Sequence, residues 1–109
     1  MADPTIRRIS VTALRALLED PRPCVWLIHA TDESAFREAH IPGALARPED
    51  PLLRRLAGDA PVIVYAEDDH SEAAPALAAA LHHLGVEVAW FSGGLAAWRA
   101  AGLPVERSG

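Results

Sequence analysis

The residues able to do chemistry in this chain fall into two short stretches. Glu67-Asp68-Asp69-His70-Ser71 sets three carboxylates, an imidazole and a hydroxyl side by side, directly after the apolar run of residues 61–65 and Ala66. His29-Ala30-Thr31 follows a second apolar run, residues 24–28. Imidazole and carboxylate are good ligands for divalent cations, so His29, Asp68, Asp69 and His70 would be the candidate set if the fold gathered them. Their spacing does not require this, and no metal or other cofactor is expected. The carboxylates also oppose an incoming anion: each repels a unit charge ~6 Å away by roughly 1–3 kcal/mol at intermediate dielectric. Ser71 and Glu72 stand where a following helix would be capped. The single thiol, Cys24, sits at the start of its strand, at the opposite edge of a sheet from the strand ends, and reads as a small buried hydrophobe. His82-His83 are helix neighbours that point in different directions, which disfavours chelation by that pair.

Those stretches must be positioned by the elements around them. Residues 6–9 form a short strand candidate, and Ser10 caps a helix whose apolar face is Val11, Leu14, Leu17 and Leu18. Residues 24–28 (CVWLI) and 61–65 (PVIVY) are continuous apolar runs, as expected of strands covered on both faces. A short helix is expected over residues 33–38, a strand near 44–46 and a second short helix over 51–56. Residues 76–84 are a strong helix, and Pro75 in its first turn admits a start at 72–74. A strand at 86–91 and a helix at 95–101 follow. Strands alternating with helices predict a parallel sheet with helices on both faces. Ligands then bind beyond the carboxyl ends of the strands, where the strand order reverses. This directs attention to residues 29–31, 66–74 and 92–94.

Composition narrows the function classes. With 109 residues, half of them hydrophobic, the chain can bury one core without staples, and it reads as one domain over residues 1–109 with its core at about 6–105. The formal charge of −5 argues against nucleic acid or an anionic membrane as partner. One cysteine and no spanning apolar run predict a reducing, cytoplasmic setting.

Four pieces in order carry a resemblance. They are Phe36 with His40-Ile41-Pro42-Gly43-Ala44; Pro61-Val62-Ile63-Val64-Tyr65; Gly93-Gly94-Leu95-Ala96-Ala97-Trp98; and Ala101-Gly102-Leu103-Pro104-Val105. Together they resemble the rhodanese family over residues 9–105. Read structurally, Pro42-Gly43 is a type II turn, Trp98 belongs to the core, and His40 holds neighbouring backbone. The resemblance implies a three-layer α/β fold with a five-stranded, mainly parallel sheet in order 3-2-4-5-1. It implies that His29 and Ala66 face each other where that order reverses.

It also implies a chemistry. A cysteine after the fourth strand carries a persulfide, loop N–H groups and a helix N-terminus stabilise its charge, and a small thiosulfate-like anion is the substrate. At that position this chain has Ala66, which has no nucleophile. The loop lacks glycine and arginine, and His29-Ala30-Thr31 stands where the family often has Asp-Val-Arg. Two readings follow. In one, the domain is a non-catalytic binding or regulatory module with a protein partner, whose loop residues Glu67 to Ser71 and His29 form the binding site. In the other, it is a thiosulfate-type sulfurtransferase whose cysteine has been exchanged for Ala66, with the small anion as partner only once the cysteine is restored. A phosphatase-like relative is disfavoured, because phosphoryl transfer needs the missing cysteine and arginine.

Overall fold

β-branched and aromatic residues dominate the strands, and their period-2 alternation divides the core into two apolar layers. The computed structural model describes residues 6–19, 25–31, 33–46, 61–68 and 70–107. In chain order the elements are β1 (Arg7–Ile9), α1 (Val11–Glu19), β2 (Trp26–His29), α2 (Glu33–Glu38), β3 (Leu45–Ala46), β4 (Val62–Tyr65), α3 (Ala73–His83), β5 (Val88–Phe91) and α4 (Gly94–Ala100). The five strands form one sheet in the order β1-β5-β4-β2-β3. Every adjacent pair is parallel, so the expected order is met and "mainly parallel" becomes wholly parallel.

Val62 and Val64 of β4, Ile28 of β2 and Val88 and Trp90 of β5 face one layer, packed on Ala74, Leu77, Ala78 and Leu81 of α3. Ile63, Tyr65, Leu27 and Phe91 face the other, with Leu14 of α1 and Leu95 and Trp98 of α4. A strand covered on both faces needs no polar alternation, hence the continuous apolar runs. The Ser10 hydroxyl caps α1 by accepting from the Ala13 N–H at 3.1 Å. α3 begins at Ala73, three residues before the apolar pattern alone would start it, because Pro75 fits a first turn whose N–H groups lack helical partners. β2 runs to His29, one residue beyond the expected strand, and β5 begins at Val88. The helix expected over residues 51–56, Cys24 and Asp69 lie outside the described residues.

Two further expectations are met at the turn before β3. The Ala44 N–H closes on the Ile41 carbonyl at 2.9 Å. His40 Nδ1 lies 2.8 Å from the Phe36 carbonyl, and its ring stacks on Phe36 at 3.9 Å. His40 and Glu106 exchange two backbone hydrogen bonds of 2.9 Å, which ties the C-terminal segment to this turn. Trp98 is buried and donates its indole N–H to the Pro104 carbonyl at 2.6 Å.

Candidate functional site

The order reversal falls between β2 and β4, whose last residues, His29 and Tyr65, are in register. The chain ends of both strands are bound together: the Ala30 N–H donates to the Tyr65 carbonyl at 2.7 Å. Ala66 follows immediately. It is buried, and its methyl group belongs to the α3-side apolar layer with Ala30 and Ala74.

The loop after β4 is bolted to α4. The first turn of a helix leaves N–H groups without helical partners. Here the Leu95 N–H donates to the Ala66 carbonyl at 2.9 Å and the Ala96 N–H to the Glu67 carbonyl at 2.8 Å. That approach is possible because Gly94 has no side chain. A Cβ there would lie 2.5 Å from the Ala66 oxygen and 2.9 Å from the Asp68 nitrogen, and its φ of +64° is already left-handed.

The Asp68 carboxylate is turned onto its own loop. Its Oδ1 accepts the His70 N–H at 2.9 Å and the Ser71 N–H at 3.2 Å. The Ser71 hydroxyl in turn accepts the Ala73 N–H at 3.3 Å, at the start of α3. Glu72 occupies the cap position without a side-chain bond. The acidic loop is thus partly its own anion site.

His29 and Glu67 are brought together, with Nε2 and Oε1 3.5 Å apart. His29 is fully buried, edge-on to Tyr65 at 4.9 Å and to Phe36 at 5.8 Å. The Thr31 Oγ1 lies 2.8 Å from His29 Nδ1 and 3.4 Å from Nε2. The hydroxyl therefore sits beside the ring edge between both nitrogens rather than in line with one. His70 is exposed and lies beyond the Asp68 turn. Among the described residues, no group of three or more His, Cys, Asp or Glu side chains is gathered to hold a metal.

Three features were missed in the sequence. Tyr65 is fully buried, yet its hydroxyl accepts the Ile41 N–H at 3.0 Å and so joins β4 to the turn before β3. Burial pushes its phenol well above the usual range; the Ile41 hydrogen bond acts in the opposite sense, and the Glu67 carboxylate adds to the rise. A lone phenol in an apolar strand was the signal for it. Gly94 is the second, signalled by the doubled glycine. The third is an open groove of about 1010 Å³ beside the loop, lined by Glu67 and Asp68, by Arg37 and Glu38 of α2, by Arg99 of α4 and by Arg107. Its floor is small and apolar, with Ala35, Ala39, Leu95 and Ala96. Ala66 does not line it.

A doubly covered parallel sheet with a strand-order reversal between β2 and β4 defines an open α/β domain. The family follows from comparison with known proteins: a family model described as the rhodanese-like domain matches residues 10–101, and the chain belongs to that family. The BH2092 protein of Bacillus halodurans superposes with a TM-score of 0.86 at 24% identity, covering 94% of this chain and 77% of that one, which speaks for the fold alone. A thiosulfate sulfurtransferase of Pseudomonas aeruginosa is 29% identical with a TM-score of 0.78, over 95% of this chain and 20% of that one. An HTH-type transcriptional regulator, Rv0324 of Mycobacterium tuberculosis, is 33% identical over 85 residues. That match takes in 75% of this chain, which spans only 38% of the regulator's length. No helix among the described residues is long and apolar enough to cross a membrane.

Proposed function

We propose that this rhodanese-like domain is a non-catalytic module that acts by binding, with position 66 standing where the family places its nucleophilic cysteine. The observation that carries the reading is Ala66 itself, a buried methyl group at the head of the loop between β4 and α3. A methyl group can neither attack sulfur nor hold it. The surroundings support the same reading. Sulfur transfer calls for loop N–H groups turned toward a persulfide, whereas the N–H groups of His70 and Ser71 bind the Asp68 carboxylate. The likeness to part of a transcriptional regulator supports a regulatory role; a cytoplasmic setting and a protein partner belong to the same proposal.

The second reading, a sulfurtransferase whose cysteine has been exchanged for alanine, draws on the likeness to a thiosulfate sulfurtransferase. One experiment separates the two. Ala66→Cys is assayed for thiosulfate:cyanide sulfur transfer and for a persulfide by mass spectrometry. The proposal expects neither. Turnover at the level of an ordinary sulfurtransferase would sink it, and the codon at position 66 of the gene gives an independent check.

A further inference from the structure

The strand-order reversal buries a titratable side chain for which the proposed function has no use. His29 is fully buried at the end of β2, and imidazole is the side chain whose charge ordinarily changes between about pH 5 and 8. From β4, the Tyr65 ring meets it edge-on at 4.9 Å, and burial keeps that phenol protonated across this range. From α2, the Phe36 ring meets it at 5.8 Å, and His40 stacks on Phe36 in turn at 3.9 Å. Just past β2, Thr31 Oγ1 lies 2.8 Å from Nδ1. From the loop after β4, the Glu67 carboxylate faces Nε2, with Oε1 3.5 Å away.

These partners suit either protonation state of the ring. A hydroxyl both donates and accepts, so Thr31 serves Nδ1 with or without its proton. Burial opposes the charged ring while the Glu67 carboxylate favours it, so the two effects act against each other. The 3.5 Å contact also has room to close, since a charge-assisted N–H···O bond is about 2.7–2.9 Å long. Glu67 is free to make that movement with its side chain alone. Its side chain is 47% exposed and lines the groove, while its backbone is held by the Ala96 N–H at 2.8 Å.

We propose that His29 and Glu67 form a proton-operated switch at the head of the loop. When His29 takes its second proton from water, the Glu67 carboxylate is drawn onto the ring; when the proton leaves, the carboxylate swings back toward the groove. Acidification thus withdraws one negative charge from the groove without moving the backbone. The switch goes beyond the binding module proposed above and does not depend on it. Turnover by Ala66→Cys would remove that reading and leave His29 and Glu67 as they are.

The test is a pH titration of the full chain by NMR, following the His29 imidazole and the Glu67 side-chain carboxyl carbon between about pH 5 and 8. The His29 ring is expected to titrate in this window, and the Glu67 carbon to follow it with the same midpoint. The nuclear Overhauser contact between the Glu67 γ protons and the His29 ring should be stronger at the acid end. In His29→Gln the Glu67 carbon should lose that transition. Glu67→Gln, at a half-exposed position that tolerates the change, should lower the proton affinity of His29 about tenfold, as expected for loss of a neighbouring opposite charge. A His29 ring that stays in one protonation state throughout would overturn the proposal. So would a Glu67 carbon that does not follow the ring, or a His29 proton affinity in Glu67→Gln within about twofold of the parent's.

Discussion

Gly94→Ala tests how the loop is held, because the same substitution elsewhere isolates each part of its cost. An L-residue in the left-handed region loses about 1–2 kcal/mol. Gly102 has φ +77° with nothing within 4 Å of its would-be Cβ, so Gly102→Ala should show that loss alone. Gly94 has φ +64° and three loop backbone atoms within 3.0 Å of the same position: the Ala66 oxygen, the Asp68 nitrogen and the Glu67 carbonyl carbon. Backbone cannot rotate aside as a side chain can. The loop or α4 must move, at the ~1–3 kcal/mol typical of overpacking. The expected loss for Gly94→Ala is therefore about 2–5 kcal/mol. At roughly 4 °C per kcal/mol for a domain near this size, that lowers Tm by about 8–20 °C, against about 4–8 °C for Gly102→Ala. Urea unfolding followed by circular dichroism gives both free energies. Hydrogen exchange at the Leu95 and Ala96 amides, which donate to the Ala66 and Glu67 carbonyls, shows whether the added loss falls at the loop. Losses for the two variants within about 0.5 kcal/mol of each other would refute the reasoning, since the close approach would then carry no cost.

Two other substitutions probe the same region. Tyr65→Phe leaves the buried Ile41 N–H without its acceptor and should cost about 1–3 kcal/mol at neutral pH. The raised phenol pKa adds a pH signature. The unfolded chain ionises near pH 10 while the folded protein keeps its proton, so the tyrosine's contribution is intact below about pH 10. Above that it is lost by up to ~1.4 kcal/mol per pH unit. Unfolding at pH 7 and pH 10.5 should show this extra decline in the parent and not in Tyr65→Phe; equal declines would refute it. Asp68→Ala removes the acceptor of the His70 and Ser71 N–H groups, and by analogy with lost helix caps it should cost about 0.5–2 kcal/mol. Exchange at those two amides should quicken. Unchanged protection there would show that the carboxylate does not hold the loop.

The sequence by itself determined the parts that depend on local periodicity and local bonding. The runs around Ile28 and Val64 read as strands covered on both sides. Ser10 and Pro75 marked helix starts, and Trp98 and His40 were legible as structural residues. The absence of a nucleophile at Ala66 was also plain, since it is a matter of residue type. Even so, local reading has a limit at Asp68: three adjacent acidic residues looked like a barrier to anions, yet one of them folds back onto N–H groups two and three residues ahead. Charge counting cannot see that, because the bond depends on how the loop turns. Tertiary structure alone decided the rest. Tyr65 meets Ile41 across 24 positions, and Gly94 is required by a backbone from another segment. Arg37, Arg99 and Arg107 are scattered along the chain and line one groove with Glu38, Glu67 and Asp68 only because α2, α4 and the C-terminal segment converge beside the loop. Contacts between distant residues leave no periodic trace in a single sequence; the packing of two helical layers on a twisted parallel sheet creates them.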